Sequence, residues 1–112
     1  MVTERLSVIV PTLNEARHIR GALEALAALR RRGHEAIVVD GGSEDGTPEL
    51  AEPHCDRLIR AARGRALQMN AGARAARGDA LLFLHADCRL PQGVDELIFF
   101  SLKRHAWGRF DV

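Results

Sequence analysis

The chain has no tyrosine, one tryptophan and four phenylalanines, so aromatic residues make up only 4% of its 112 positions. A surface that stacks bases needs more ring faces than that, which argues against a platform for single-stranded nucleic acid. Charge of one sign is also missing: 16 Lys and Arg face 15 Asp and Glu, for a net charge of +1. A protein that binds a phosphate backbone through bulk electrostatics carries a larger excess. Nucleic acid is therefore not an expected partner. No apolar run approaches the roughly 20 residues of a membrane span. The amino-terminus lacks the basic, apolar, small-residue pattern of a secretion signal. The expectation is a cytoplasmic protein without a transmembrane segment. Cysteine is scarce, and Cys55 and Cys88 do not form a C-x-x-C pair. Reduced thiols are expected in such a chain, with Cys55 as plain packing.

Two nucleotide signatures are absent as well. There is no G-x-x-x-x-G-K-[ST] loop, and no G-x-G-x-x-G follows the first apolar run. P-loop nucleotide hydrolases and dinucleotide dehydrogenases are disfavoured on that ground.

What is present is an alternation. Composition is 46% hydrophobic and 28% charged, ordinary for one soluble domain. Leu6 to Val10 is a β-branched apolar run that Pro11 is expected to stop. Ile19, Ala22, Leu23, Leu26 and Leu29 then recur at helical spacing, with Asn14 as N-cap and Gly33 just past the end. Arg30, Arg31 and Arg32 fall in the last turn of that helix, where cations suit its dipole. A second strand runs from Ala36 to Val39 and ends in Asp40. Thr47 and Pro48 read as N-cap and first helical residue of a helix that Pro53 cuts short. "DRLIRA" is a weak third strand. "GRALQMNAGARAARG" reads as a helix with Ala66, Met69, Asn70 and Ala73 near one face and Gly78 ending it. Leu81 to Leu84 reads as a central strand buried on both faces, because it shows no polar alternation. Val94 to about His105 reads as a last helix. Strands alternating with helices imply an α/β fold with a mostly parallel sheet and right-handed crossovers.

Three polar loops then follow strand ends: "PTLNE", "DGGSEDGT" and "HADCRLP". The carboxyl edge of such a sheet is where ligands bind. Asp40 is either a ligand contact or the local acceptor of a tight turn. Gly41 and Gly42 permit positive φ and close backbone approach. Asp87 is either a ligand of a hard cation or a turn residue. His85 is either a ligand or a hydrogen-bonded strand-end histidine.

The stretches "SVIVPTLNEA", "AIVVDGGSEDGT", "GRALQMNAGARAARGD", "LLFLHADCRLP" and "WGRFDV" together resemble the amino-terminal half of a family 2 glycosyltransferase. The wording of "GRALQMNAGA" and "LHAD" is most similar to a bacterial subgroup labelled arsenosugar-biosynthesis glycosyltransferases. The resemblance implies a GT-A fold, a Rossmann-like mostly parallel sheet flanked by helices, and a nucleoside-diphosphate-sugar donor. It implies that Pro11, Thr12, Asn14 and Glu15 touch base and ribose, and that Asp40, Gly41, Gly42 and Ser43 line the donor beside the nucleobase. Arg65 would reach toward base or diphosphate. Asp87 would hold Mn²⁺ or Mg²⁺ against the diphosphate, with His85 beside it.

Two positions depart from the family pattern. Gly41 stands where many relatives carry a second acid, and the D-x-D triplet is His85-Ala86-Asp87, with one carboxylate replaced. No acid is assigned as the base that activates the acceptor hydroxyl, and the acceptor is not specified. "WGRFDV" reads as a strand start in mid-fold, so residues 1–112 are expected to be the donor-binding half of a longer domain. That in turn implies self-association, with Phe99, Phe100 and Leu102 on the exposed surface. A non-catalytic nucleotide-binding or interaction module of the same fold is the alternative. A sugar-phosphate nucleotidyltransferase would want a Gly- and Arg-rich loop after the first strand, which "PTLNEARH" does not supply.

Overall fold

Alternation of buried side chains along two central strands organises the molecule. A computed structural model describes residues 4–90 and Val94. Its elements are β1 (Leu6–Thr12), α1 (Ile19–Ala25), α2 (Ala27–Arg31), β2 (Glu35–Asp40), α3 (Thr47–Ala51), a 3₁₀ turn (Glu52–His54), β3 (Arg57–Arg60), α4 (Arg65–Ala75) and β4 (Ala80–Phe83). The four strands form one parallel sheet in the order β3-β2-β1-β4. This is the expected α/β architecture.

Strand side chains alternate between faces. Val8, Val10, Ala36 and Val38 pack with Ile19, Leu23, Leu26 and Leu29 of the α1–α2 segment. Ile9, Ile37 and Val39 face the other way and pack with Ala71, Ala73 and Ala76 at α4. Each fully buried aliphatic side chain here contributes roughly 1.5–3 kcal/mol. Gly72 sets how close α4 comes: a Cβ there would overlap Ile9 and lie 3.1 Å from Val39 Cγ2.

Several sequence expectations need correction. β1 runs through Pro11 to Thr12: β4 pairs with it only as far as Ile9, so Pro11 stands beyond the two-sided part of the strand, where a proline is tolerated. The first helix is two, divided at Leu26, whose N–H bonds back to Leu23 O in a tighter turn. Its far end is as expected. Gly33 has φ 97°, its N–H bonds Arg30 O and the His34 N–H bonds Leu29 O, a complete Schellman closure. Asn14 does not cap α1, which begins at Ile19 with His18 before it. Thr47 is the first residue of α3 rather than its cap; Gly46 holds the cap position. The buried residues of α4 are Gln68 and Gly72, while Ala66 and Asn70 are exposed. An apolar-periodicity argument misses that face because a polar residue and a glycine carry the contact.

β4 is not central. Among the described residues it forms the outer edge of the sheet, and Leu81 is 44% exposed. β1 and β2, with nearly every residue buried, take the centre instead. Both cysteines are free. No helix among the described residues is long and apolar enough to cross a membrane. Val94 is helical and buried; the rest of the expected last helix, with Phe99, Phe100 and Leu102, lies outside the described residues.

Candidate functional site

Parallel pairing brings all four strand ends to one edge. The register aligns Thr12 with Asp40 and Asp40 with Arg60, while β4 runs beside β1 on the other side. Across that edge the order is therefore the Arg60–Arg65 turn, the Asp40–Thr47 loop, the Thr12–Ala16 loop and the His85–Cys88 turn.

Asp40 has no exposed surface. Its Oδ1 accepts from the Thr12 hydroxyl at 2.7 Å and the Ser43 hydroxyl at 2.6 Å. Its Oδ2 accepts from the Ser43 N–H at 2.8 Å and the Gly42 N–H at 3.0 Å. A carboxylate has about four acceptor positions, and these four donors occupy them. Burial pushes the Asp40 carboxyl up, but the Ser43, Thr12 and Gly42 donors outweigh it and hold the pKa below its ordinary value. Of the two roles open at the sequence level, Asp40 is seen in that of the turn acceptor.

The loops after β1 and β2 are laced together. The Asn14 N–H donates to Ser43 Oγ at 2.7 Å, and the Glu44 N–H donates to Asn14 Oδ1 at 2.9 Å. The Glu15 N–H donates to Thr47 Oγ1 at 2.9 Å, and the Ala16 N–H to Asp45 Oδ2 at 3.0 Å. The Thr47 hydroxyl and the Ala16 N–H hold the Asp45 carboxyl below its ordinary pKa. Asn14 reaches this geometry with φ 55°, a left-handed conformation that asparagine tolerates. Thus Thr12, Asn14, Asp40 and Ser43 share one hydrogen-bonded unit.

The two glycines differ. Gly42 has φ 98° and needs its conformational freedom. Gly41 is buried and is not among the positive-φ residues. The Gln68 carboxamide lies against it, and a Cβ at Gly41 would fall 2.8 Å from Gln68 Oε1.

Four groups at this edge keep unspent bonding capacity. Glu15 Oε2 is buried with no hydrogen-bond partner among the described residues. Arg65, at the first position of α4, is exposed. His85 and Asp87 are both exposed, alternating with buried Leu84 and Ala86. Among the described residues the Asp87 carboxylate receives only the Cys88 thiol, at 3.6 Å, and burial together with that carboxylate pushes the Cys88 thiol pKa up. Pro11 is half-buried in β1.

Sequence reasoning missed Gln68, Asp45 and the cross-loop role of Thr47. The available signal for Gln68 was its position four residues before Gly72, on one helix face.

The model of glycosyl transferase family 2 matches residues 7–106. The chain belongs to that family. It is 35% identical to the glycosyltransferase AglE of Haloferax volcanii over 92 residues, covering 74% of this chain and 30% of that protein. It is 34% identical to the dolichyl-phosphate β-glucosyltransferase of Mus musculus, covering 76% of this chain and 32% of the mouse protein. Among solved structures it is similar to the mannosyltransferase PcManGT from Pyrobaculum calidifontis in complex with GDP-Man and Mn²⁺. That likeness has a TM-score of 0.71 and 33% sequence identity, over 80% of this chain and 29% of that one. The chain thus spans about a third of the length of these family members. Its parallel sheet with flanking helices is the GT-A architecture of glycosyltransferases.

Proposed function

We propose that this chain is the donor-binding half of a glycosyltransferase that takes a nucleoside-diphosphate sugar. The observation that carries the reading is Glu15 Oε2, a buried carboxylate oxygen without a partner among the described residues, at the ligand-binding edge of a family 2 fold. A buried acceptor left unpaired is unfavourable by about 1–3 kcal/mol, and a ribose hydroxyl would satisfy it. Arg65 lies on the same edge with an exposed side chain, suited to base or diphosphate. Pro11, Gly41, Gly42 and Ser43 form the backbone surface between them.

Asp87 and His85 fit a divalent cation whose remaining ligands come from the donor phosphates. Mg²⁺ and Mn²⁺ are commonly held by one or two carboxylates plus substrate oxygens. No group of three or more ligating side chains gathers among the described residues, so those residues without donor phosphates do not make a cation site. When bound, such a cation offsets charge on the leaving nucleoside diphosphate. The PcManGT complex with GDP-Man and Mn²⁺ supports the choice of ligand class.

In the transfer itself the acceptor hydroxyl oxygen bonds the anomeric carbon, the bond from that carbon to the diphosphate oxygen breaks, and the hydroxyl proton passes to a base. No residue of this chain is assigned as that base. The "GRALQMNAGA" and "LHAD" stretches support a place near the bacterial subgroup labelled arsenosugar-biosynthesis glycosyltransferases. Calorimetric titration of the chain with UDP and GDP, each with Mn²⁺, tests the reading. Binding of at least one nucleotide is expected; binding of neither overturns it.

A further inference from the structure

Gln68 is 5% exposed and is the deepest polar side chain of α4. Its Nε2 donates to Thr12 O at 2.8 Å and to Val39 O at 3.0 Å. Its Oε1 accepts from the Gly64 N–H at 3.2 Å. One side chain therefore ties the ends of β1 and β2 to the turn that precedes Arg65. Both amide hydrogens are used, and the carbonyl oxygen is matched to a donor, so the carboxamide has one orientation in which every contact is satisfied. Thr12 O is shared, accepting also from the Gly41 N–H at 3.0 Å. Gly41 completes the arrangement by lacking a side chain: a Cβ there would lie 2.8 Å from Oε1 and 2.9 Å from Cδ of Gln68. The far end of a long side chain ordinarily swings aside. This one is anchored by three hydrogen bonds.

We propose that Gln68 is a positioning residue of the donor site, and that Gly41 is glycine because the Gln68 carboxamide occupies the space of its side chain. The polar atoms of Gln68 are spent within the protein, on Gly64, Thr12 and Val39. It acts through the Thr12 loop and through Arg65, by holding the strand ends and the Gly64 turn in one register. The inference rests on the donor-site reading for its effect on binding, and on the local geometry alone for the coupling between positions 41 and 68.

Three substitutions separate this role from general packing. Gln68→Met keeps length and removes the hydrogen bonds. Gln68→Glu keeps shape but, when ionised, turns an acceptor toward two carbonyl oxygens. Gly41→Ala adds one methyl against the carboxamide. Nucleotide affinity is measured by titration of the 112-residue chain with UDP and GDP in the presence of Mn²⁺, at about pH 5 and pH 8. Gln68→Met should weaken binding by about tenfold. Gln68→Glu should weaken it more at the higher pH and regain part of the loss at the lower one, where the added carboxyl takes up a proton and can donate. A packing role would give no such pH-dependent recovery relative to wild type. Unfolding in urea then supplies the coupling. Gly41→Ala should shift the unfolding equilibrium by about tenfold with Gln68 present and by much less in a Gln68→Ala background. Additive effects overturn the claim about Gly41. Wild-type affinity in both Gln68 variants, with wild type binding, overturns the positioning role. A wild-type chain that binds neither nucleotide overturns the donor-site reading and reduces Gln68 to a structural clamp, and the stability cycle still decides the coupling.

Discussion

Thr12 and Asp40 are opposite each other at the last paired position of β1 and β2, and the Thr12 hydroxyl donates to Asp40 Oδ1 at 2.7 Å. The bond ties two ligand-edge loops at their roots. It is one of four hydrogen bonds to that carboxylate, which together favour its ionised form against burial.

Asp40→Ala should therefore lower stability by about 1–3 kcal/mol, since two N–H groups and two hydroxyls lose their acceptor. The folded pKa of Asp40 lies below its ordinary value of 3.8. The stabilisation it provides is thus present above that value and is lost as pH falls through the lower, folded pKa. Urea unfolding between about pH 4 and pH 2 should show a steeper loss for wild type than for Asp40→Asn. Parallel curves would show that the four hydrogen bonds do not select the charged form.

Asn14 holds a left-handed backbone and accepts from the Glu44 N–H. Asn14→Gly keeps the conformation and loses the bond. Asn14→Ala loses the bond and adds backbone strain of about 1 kcal/mol. The expected order of stability is Asn14, then Gly, then Ala, read from thermal midpoints. Equal midpoints for Gly and Ala would mean that the loop relaxes away from φ 55°.

Glu15 gives the opposite pairing of stability and function. Glu15→Gln relieves an unpaired buried carboxylate oxygen in the free chain, so its melting temperature should hold or rise. Nucleotide affinity should fall by about tenfold as a charged hydrogen bond is lost. Unchanged affinity would remove Glu15 from the donor contacts.

Asp87 has no cationic partner among the described residues, and the residues of ligand type beside it in the turn are His85 and Cys88. Mn²⁺ should bind weakly to the chain alone and appreciably together with UDP or GDP, with Asp87→Asn abolishing that gain. Tight binding of Mn²⁺ without nucleotide, or a gain that survives Asp87→Asn, would place the metal elsewhere.

Leu81 is exposed on β4, whose outer edge has no paired strand among the described residues. An open edge with an apolar side chain invites association. Sedimentation of the chain should show concentration-dependent self-association that Leu81→Lys reduces. A monomer at all concentrations would contradict it.

The alternation of apolar runs and helical spacing determined the α/β class, the order of elements and the strand-end loops at which a ligand would sit. Those are local signals: period 2 against period 3.6, and a turn residue after each strand. Gly33 was legible for the same reason, as a helix stop needs only its own backbone. The residues decided by tertiary structure are those whose partners are distant in sequence. Asn14 looks like a cap and instead bonds Glu44, thirty positions on. Asp40 reads either as a ligand contact or as a turn acceptor, and only the fold shows its carboxylate saturated by Thr12, Gly42 and Ser43. Leu81 to Leu84 looks central, whereas among the described residues it pairs on one side only and β1 and β2 hold the middle of the sheet, an order that pairing between distant segments decides. Gln68 is the clearest case. Its neighbours in sequence say helix surface, while its hydrogen bonds go to Thr12 and Val39, brought within reach only because Gly72 lets α4 settle onto the sheet.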